Sequence, residues 1–162
     1  MTKYFEYGET ELAHLRKKDK KLGSAIDRIG MIRREVNPNL FSSLVESIIG
    51  QQISNKAAAT VCRRLHELCG MDSHRLNALT VEEIQACGTS TRKASYIKNI
   101  AEAAVTKVID FDTFPEKTDE EIIKTLTAIK GIGVWTSEML LMAYRAFQVS
   151  ESHLDYHLHR EG

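Results

Sequence analysis

Proline and cysteine are scarce in this sequence, and long apolar runs are absent from it. Each of these features argues against one class of structure or site. Only Pro38 and Pro115 interrupt the 162 residues, and alternation of β-branched residues is rare, so the chain is predicted to be all-α. Three cysteines, Cys62, Cys69 and Cys87, form no metal-like cluster, and we expect reduced thiols buried in helices of a cytoplasmic protein. Neither an apolar run of about 18 residues nor a signal-like N-terminus occurs, so no contact with a membrane is expected.

Charge of one sign is also lacking. The 22 lysines and arginines balance 22 aspartates and glutamates, and the hydrophobic content of 43% is ordinary for a globular protein. Such a chain does not coat nucleic acid by bulk charge. Any binding of DNA therefore depends on local arrangement, and we expect it to be modest in affinity and sensitive to salt.

What the sequence does contain is helical periodicity with clear start signals. Asn37-Pro38-Asn39 breaks the pattern and separates N-terminal helices in residues 1–36 from a larger lobe over 37–144. A loop is predicted for residues 145–162, and shorter loops for 70–74 and 110–117. The predicted helices cover about 9–18, 20–29, 40–52, 55–68, 81–87 and 91–108, followed by a helical pair over about 119–144.

The turn inside that pair is the most informative stretch. Thr118 and Glu121 form a capping box before its first helix. Between the helices stand Gly131 and Gly133, which let the backbone take positive φ and approach another molecule closely. The unpaired amides at the start of the second helix, with its dipole, favour an anion such as a DNA phosphate. The alternative is an ordinary αα-corner in which the glycines end the first helix.

The stretch from Ile129 to Leu141, IKGIGVWTSEMLL, resembles the helix-hairpin-helix of the HhH-GPD superfamily of DNA base-excision glycosylases. It is most similar to the 3-methyladenine DNA glycosylase II branch, as is a second block from Ser47 to Ala58, SIIGQQISNKAA. The start of the helix at Ser90, STRKA, also resembles this family. The resemblance implies a helical barrel lobe that contains the hairpin, a second lobe built partly from the N-terminal helices, and a substrate cleft between the lobes.

The resemblance also implies which residues meet double-stranded DNA with a damaged base. Main chain and side chains around Lys130, Gly131, Gly133 and Thr136 are expected to hold the backbone. In a base-flipping enzyme a side chain must fill the gap left in the stack. The family places it at the junction after residue 50, on Gln51 or Gln52, and Gln52 is favoured. Alternatively, both glutamines bond to neighbouring main chain and cap the helix.

Catalysis is expected from Asp155, which lies where the family has its catalytic aspartate after the hairpin. A carboxylate near C1′ stabilises the positive charge that builds on the sugar as the base leaves, and it can orient water. The alternative is a surface aspartate in a polar tail. Trp135 occupies the position at which bifunctional relatives carry a lysine that forms a Schiff base. The protein is therefore expected to be monofunctional, with the indole either stacked on the damaged base or packed between lobes.

Some features depart from the family or stay open. Residues 143–153 lack the family's glycine and proline, and the second lobe is incomplete, so apolar faces of the N-terminal helices are expected to be exposed. Because no cysteine follows Cys87, the iron–sulfur cluster of some relatives is excluded, and no other cofactor is expected. A monovalent cation at the hairpin is left open. Arg92 and Lys93 either touch a phosphate or form a solvated first turn.

Three functions remain open. The first is a glycosylase for alkylated purines such as 3-methyladenine, and the second is a DNA-binding helix-hairpin-helix fragment that lacks catalysis. The third is a helical module for protein interaction, and the oligomeric state is left open.

Overall fold

The computed structural model is built almost entirely of α-helices, which confirms the predicted fold class. It describes residues 3–5, 7–33 and 35–158, and of residues 3, 36, 146, 147 and 149–158 it describes the backbone alone. Two-residue strands, β1 (Lys3–Tyr4) and β2 (Glu35–Val36), pair antiparallel, and a 3₁₀ helix covers Phe111–Glu116. The α-helices are α1 (Glu9–Lys18), α2 (Lys20–Ile29), α3 (Leu40–Gly50), α4 (Asn55–Cys69), α5 (Ser73–Ala78), α6 (Val81–Ala86), α7 (Thr91–Val105), α8 (Asp119–Thr127) and α9 (Val134–Leu158).

Polar caps explain why most of these helices begin where they do. In the predicted capping box of α8, the Thr118 hydroxyl accepts from the Glu121 amide at 3.3 Å, and the Thr118 amide donates to the Glu121 carboxylate at 2.8 Å. Ser54 and Ser90 each accept one backbone amide at the start of α4 and α7, both at 3.3 Å. Each cap satisfies an amide that has no partner within its helix.

Several predicted boundaries differ from the structure, and α7 ends at Val105, three residues before its predicted end. Helix α3 ends at Gly50, two residues early, so both glutamines leave the helix. Helix α5, which was not predicted, begins inside the loop predicted for residues 70–74, because Asp72 accepts from the Arg75 amide at 2.9 Å and caps it. The loop predicted from residue 145 is wrong, since α9 continues to Leu158. Residues 143–153 contain neither glycine nor proline, so nothing local ends this helix.

The chain divides into two compact units, one of them Pro38–Met142 and the other residues 1–37 with 143–162. In the larger unit, α7 packs against α3, α5 and α6. Its core consists of fully buried aliphatic side chains, among them Leu44, Ile48, Leu65, Ile84, Ile97 and Ile100. Because α7 contacts three helices, its side chains reach several of the turns that connect them.

The smaller unit exposes much of its apolar surface. Helix α1 packs on α2, and Arg16 forms ion pairs with Glu9 at 2.5 Å and with Asp27 at 2.8 Å. The exposed apolar side chains of this unit include Leu15, Leu22, Ile29, Met31 and Ile32. This confirms the expectation that the N-terminal helices present uncovered apolar faces.

The three cysteines are free thiols. Cys69 and Cys87 are buried and Cys62 is half-buried, and burial raises the pKa of each thiol. Within the described part of the chain, no helix is both long enough and apolar enough to cross a membrane.

Candidate nucleic-acid interface

The turn between α8 and α9 is anchored in the core of the larger unit. Helix α8 ends at Thr127, and its C-cap is Ala128 in a right-handed conformation, so the glycines do not cap it. The Ile132 amide donates to the Ile129 carbonyl at 3.0 Å, and the Ile132 side chain is only 5% exposed. An apolar side chain at the tip of the turn thus fixes the chain between the helices, here called the hairpin (residues 128–133).

The fold itself requires glycine at position 131. Gly131 has a φ of +109°, a region that favours glycine strongly. A Cβ atom at this position would lie 2.3 Å from Cγ and 2.6 Å from Cβ of Tyr96 on α7. Any side chain would therefore meet both backbone strain and a steric clash.

Gly133 has a different role. Its φ is not positive, so of the two glycines only Gly131 uses the conformational freedom that glycine allows. A Cβ atom there would meet no atom within 4 Å. Its carbonyl accepts from the amide and from the hydroxyl of Ser137, each at 3.0 Å, and so opens α9. Nothing within the fold requires glycine here, and the surface beside it is open to another molecule.

The first turn of α9 presents main-chain donors at this open surface. The first hydrogen bond of the helix is the one from Ser137 to Gly133, so the amides of Val134, Trp135 and Thr136 have no partner within the helix. These amides and the positive end of the helix dipole form a site suited to an anion. Thr136 as a whole residue is only 4% exposed, so its side chain is not available at this surface.

Lys130 and Trp135 flank this site. The Lys130 side chain is exposed, and its carbonyl accepts from the side-chain amide of Asn99 on α7 at 3.3 Å. Trp135 is 68% exposed, so its indole is not part of the core. An exposed lysine in the hairpin and an exposed tryptophan in the first turn of α9 thus lie close in sequence to the open amides.

The junction between α3 and α4, residues 51–54, carries the two glutamines. Gln51 is half-buried, whereas Gln52 is exposed and has a left-handed φ of 59°. Gln51 is the C-cap of α3 through its backbone amide, which donates to the Ile48 carbonyl, but within the described residues neither glutamine side chain makes a hydrogen bond. The alternative in which the side chains bond to neighbouring main chain is therefore not observed. A non-glycine residue in this conformation costs about 1–2 kcal/mol, which the surrounding structure must offset.

Lys93 holds this junction in place, a role that the sequence did not reveal. Its ammonium group donates to the Ile49 carbonyl at 2.8 Å and to the Gln51 carbonyl. Burial lowers the pKa of Lys93. Neither predicted role, phosphate contact or solvated first turn, describes Lys93.

A model of the HhH-GPD superfamily of base excision DNA repair proteins matches residues 45–160. The chain belongs to this superfamily. The match covers most of the chain and includes both the α3–α4 junction and the hairpin. The HhH-GPD fold that was predicted from these two stretches is therefore confirmed.

The HhH-GPD relatives of this chain include several 3-methyladenine glycosylases. DNA-3-methyladenine glycosylase 1 of Schizosaccharomyces pombe is 35% identical over 107 residues, which cover 63% of this chain and 47% of that protein. The chain therefore spans about half the length of that relative. The predicted resemblance to 3-methyladenine glycosylases is confirmed at the level of the sequence.

Solved HhH-GPD structures agree with the sequence relatives. The 3-methyladenine DNA glycosylase of S. pombe, solved in complex with abasic DNA, is 30% identical, with a TM-score of 0.72 over 82% of this chain and 68% of that one. The DNA-3-methyladenine glycosidase of Bacillus halodurans is 34% identical, with a TM-score of 0.66 over 86% of this chain and 66% of that one.

Asp155, the expected catalytic residue of this HhH-GPD protein, falls within α9, and its side chain lies outside the described residues. Among the side chains that are described, no three His, Cys, Asp or Glu residues come together as a metal site would require. The sequence also missed Tyr96, which packs against Gly131 and accepts from Arg92 Nε at 3.0 Å. Its position on α7, three residues after Lys93, gave no signal of a role beside the hairpin.

Proposed function

We propose that this chain binds duplex DNA and hydrolyses the N-glycosidic bond of alkylated purines such as 3-methyladenine, as a monofunctional repair glycosylase. The superfamily and the named activity of the relatives support this proposal. In it, the larger unit supplies the grip on DNA, and Asp155 supplies the chemistry without a cofactor.

The observation that carries the proposal is the open start of α9. Three consecutive amides of this helix have no partner within it, and Gly133 presents no side chain to an approaching molecule. A DNA phosphate carries negative charge and several acceptor oxygens, so it satisfies both the amides and the helix dipole. Such a contact fixes the position of the duplex without regard to its sequence.

Base flipping is assigned to the α3–α4 junction. Extruding a nucleotide leaves a gap in the stack and costs a few kcal/mol. Gln52 is suited to fill that gap because its side chain is exposed and makes no hydrogen bond to the described protein residues. Its left-handed backbone conformation is strained for a non-glycine residue, and such strained residues are common at functional sites. Gln51 is the less suited of the two because it is half-buried.

The proposed reaction needs one carboxylate and one water. An alkylated purine carries positive charge, so it leaves readily with the bonding electron pair. The carboxylate of Asp155 stabilises the charge that develops on the sugar, and it accepts the proton of the water molecule whose oxygen bonds to C1′, while the base departs as a neutral purine. Trp135 has no amine to attack C1′, so the reaction stops at the abasic site. Treatment with borohydride during turnover is accordingly expected to trap no covalent protein–DNA product.

Base release from methylated duplex DNA tests the proposal. The wild-type chain should release 3-methyladenine, and duplexes with hypoxanthine or 8-oxoguanine in parallel reactions define the substrate range. Asp155→Asn should abolish release. Asp112→Asn, the same change at an exposed side chain on the 3₁₀ helix, should leave release unchanged. Equal release by Asp155→Asn and wild type would show that Asp155 is not the catalytic group.

One observation favours a second candidate, a DNA-binding protein that lacks catalysis. Helix α9 continues through Asp155, where the resemblance implies a loop before the aspartate. This candidate predicts binding to a duplex with an abasic-site analogue and no release of base from any substrate. If the chain binds neither undamaged duplex nor the duplex with the abasic-site analogue, the remaining function, a helical module for protein interaction, is favoured.

A further inference from the structure

Lys93 joins two parts of the larger unit that are distant in sequence. It is the third residue of α7, and its ammonium group bonds to the carbonyls of Ile49 and Gln51 at the end of α3. The last carbonyls of a helix have no partner within it and carry the negative end of its dipole, so a cation there is doubly favourable.

These two bonds fix where the chain turns. Gln51 is the C-cap of α3, and its carbonyl is bound on one side while the next residue, Gln52, takes the left-handed conformation. Without the ammonium group, both carbonyls would turn toward water, and the peptide unit between Gln51 and Gln52 would be free to rotate. The direction of the Gln52 side chain thus depends on a bond made by Lys93.

Helix α7 carries a natural control for this arrangement. Lys98 donates to the carbonyl of Leu79, which is the C-cap of α5, at 2.9 Å, and to the carbonyl of Asn77. Both lysines therefore bind a C-cap carbonyl and the carbonyl two residues before it. The segments after the two C-caps differ, because only the end of α3 leads to the candidate gap-filling residue.

We propose that Lys93 is a positioning residue that holds Gln52 in the orientation needed to enter the DNA stack. This proposal rests on the proposed function, and within it Lys93 acts through Gln52 rather than by touching DNA. Lys98 uses the same chemistry for the fold alone. Loss of either lysine lowers the stability of the fold. Only loss of Lys93 also hinders the Gln52 side chain from entering a gap in the DNA stack.

The test compares Lys93→Met with Lys98→Met in the full chain. Both are expected to lower the melting temperature to a similar extent. Lys93→Met should also slow single-turnover base release about tenfold or more, since small misplacements cost up to about a hundredfold, while Lys98→Met should leave release and affinity for undamaged duplex unchanged. If one of the variants fails to fold, Lys93→Arg and Lys98→Arg keep the charge but replace the compact ammonium by a planar guanidinium, which cannot place one nitrogen between the same two carbonyls. Lys93→Arg should then slow release and Lys98→Arg should not.

A double-mutant cycle separates action through Gln52 from a general structural effect. In a Gln52→Ala background, Lys93→Met should reduce release little further, although it should still lower the melting temperature. Equal losses of release in Lys93→Met and Lys98→Met, or an undiminished effect of Lys93→Met in the Gln52→Ala background, would overturn the proposal.

A second readout needs no catalysis. A duplex with a stable abasic-site analogue next to 2-aminopurine reports by fluorescence whether a side chain enters the gap. If the wild-type chain changes this signal without releasing base, and Lys93→Met alone reduces the change, the inference about Lys93 stands while the proposed hydrolysis fails. If the wild-type chain binds the duplex without changing the signal, the inference fails. If it binds no duplex, both fail.

Discussion

The hairpin and the α3–α4 junction both turn the chain between helices through one residue with positive φ, but they use opposite residue types. At the hairpin this residue is Gly131, and the ring of Tyr96 occupies the space where a side chain would begin. At the junction it is Gln52, whose side chain is exposed. Glycine thus appears where the fold allows no side chain, and a strained glutamine appears where a side chain has to extend outward.

Helix α7 supports both turns. Tyr96 and Asn99 contact the hairpin, and Lys93 binds the end of α3. The start of α9, directly after the hairpin, offers main-chain amides and the junction offers a side chain. In the proposed function, one helix therefore supports two different kinds of contact to DNA. Because these supports are independent, substitutions at the two turns should separate stability from binding.

The largest effect is expected from Gly131→Ala. The new Cβ would lie 2.3 Å from Tyr96 Cγ in a backbone conformation that disfavours alanine, so the free energy of unfolding should fall by about 3 kcal/mol or more. Chemical denaturation measures the loss. In a Tyr96→Gly background, which also removes the Cβ atom that would lie 2.6 Å away, the steric part should disappear and the backbone part remain. A loss below about 1 kcal/mol in the wild-type background would contradict the close packing of Tyr96 on Gly131.

Gly133→Ala should have the opposite profile. Its Cβ meets no atom of the protein, so stability should change by less than about 0.5 kcal/mol. The methyl group faces the open surface where a phosphate would approach, so affinity for duplex DNA should fall about tenfold, equivalent to roughly 1.4 kcal/mol. Fluorescence anisotropy at two salt concentrations measures this loss. Unchanged affinity would show that DNA does not bind at the start of α9.

Gln52→Gly should show that the junction trades stability for function. Glycine relieves the left-handed strain but adds freedom to the unfolded chain, so a net gain of about 0.5–1 kcal/mol is expected. The preference for abasic over intact duplex should fall at the same time. Gln51→Gly is the matched control: its φ is −58°, so it should only lose stability. A loss of stability in Gln52→Gly would argue against strain.

The smallest effect concerns acid. The amide of Thr118 donates to the Glu121 carboxylate and holds the pKa of Glu121 below its ordinary value. The stabilisation is therefore complete above that ordinary value and is lost as pH falls through the lowered one. Glu121→Gln should reduce the difference between melting temperatures at pH 7 and pH 3. The cap of α4, Ser54, has no carboxylate partner, and Ser54→Ala should leave that difference unchanged.

Local signals in the sequence predicted most of this fold. The caps at Ser54, Ser90 and Thr118 and the apolar spacing behind them placed their helices within a few residues. The glycine spacing placed the hairpin and the helix that Gly133 opens. Helix α5 was missed because its Asp72 cap was not recognised, and the end of α9 because the family resemblance outweighed the absence of a helix breaker.

The missing parts of the candidate interface depend on contacts between distant residues. Lys93 donates to carbonyls more than forty positions away in the sequence, and Tyr96 on α7 packs against Gly131, which follows α8. The local pattern of α7 indicates neither contact: Lys93 was predicted to touch a phosphate or to lie in a solvated first turn, and Tyr96 was not singled out. The difference between the two glycines is likewise invisible in the sequence, since only the fold shows which of them is crowded.

Amide chemical shifts during titration with an undamaged duplex test the central claim most directly. We predict that the backbone amides of Gly133, Val134, Trp135 and Thr136 shift most, that added salt reverses the shifts, and that Gly133→Ala suppresses them. If these four amides stay unchanged while others shift, DNA binds elsewhere on the chain and the start of α9 is not its phosphate site.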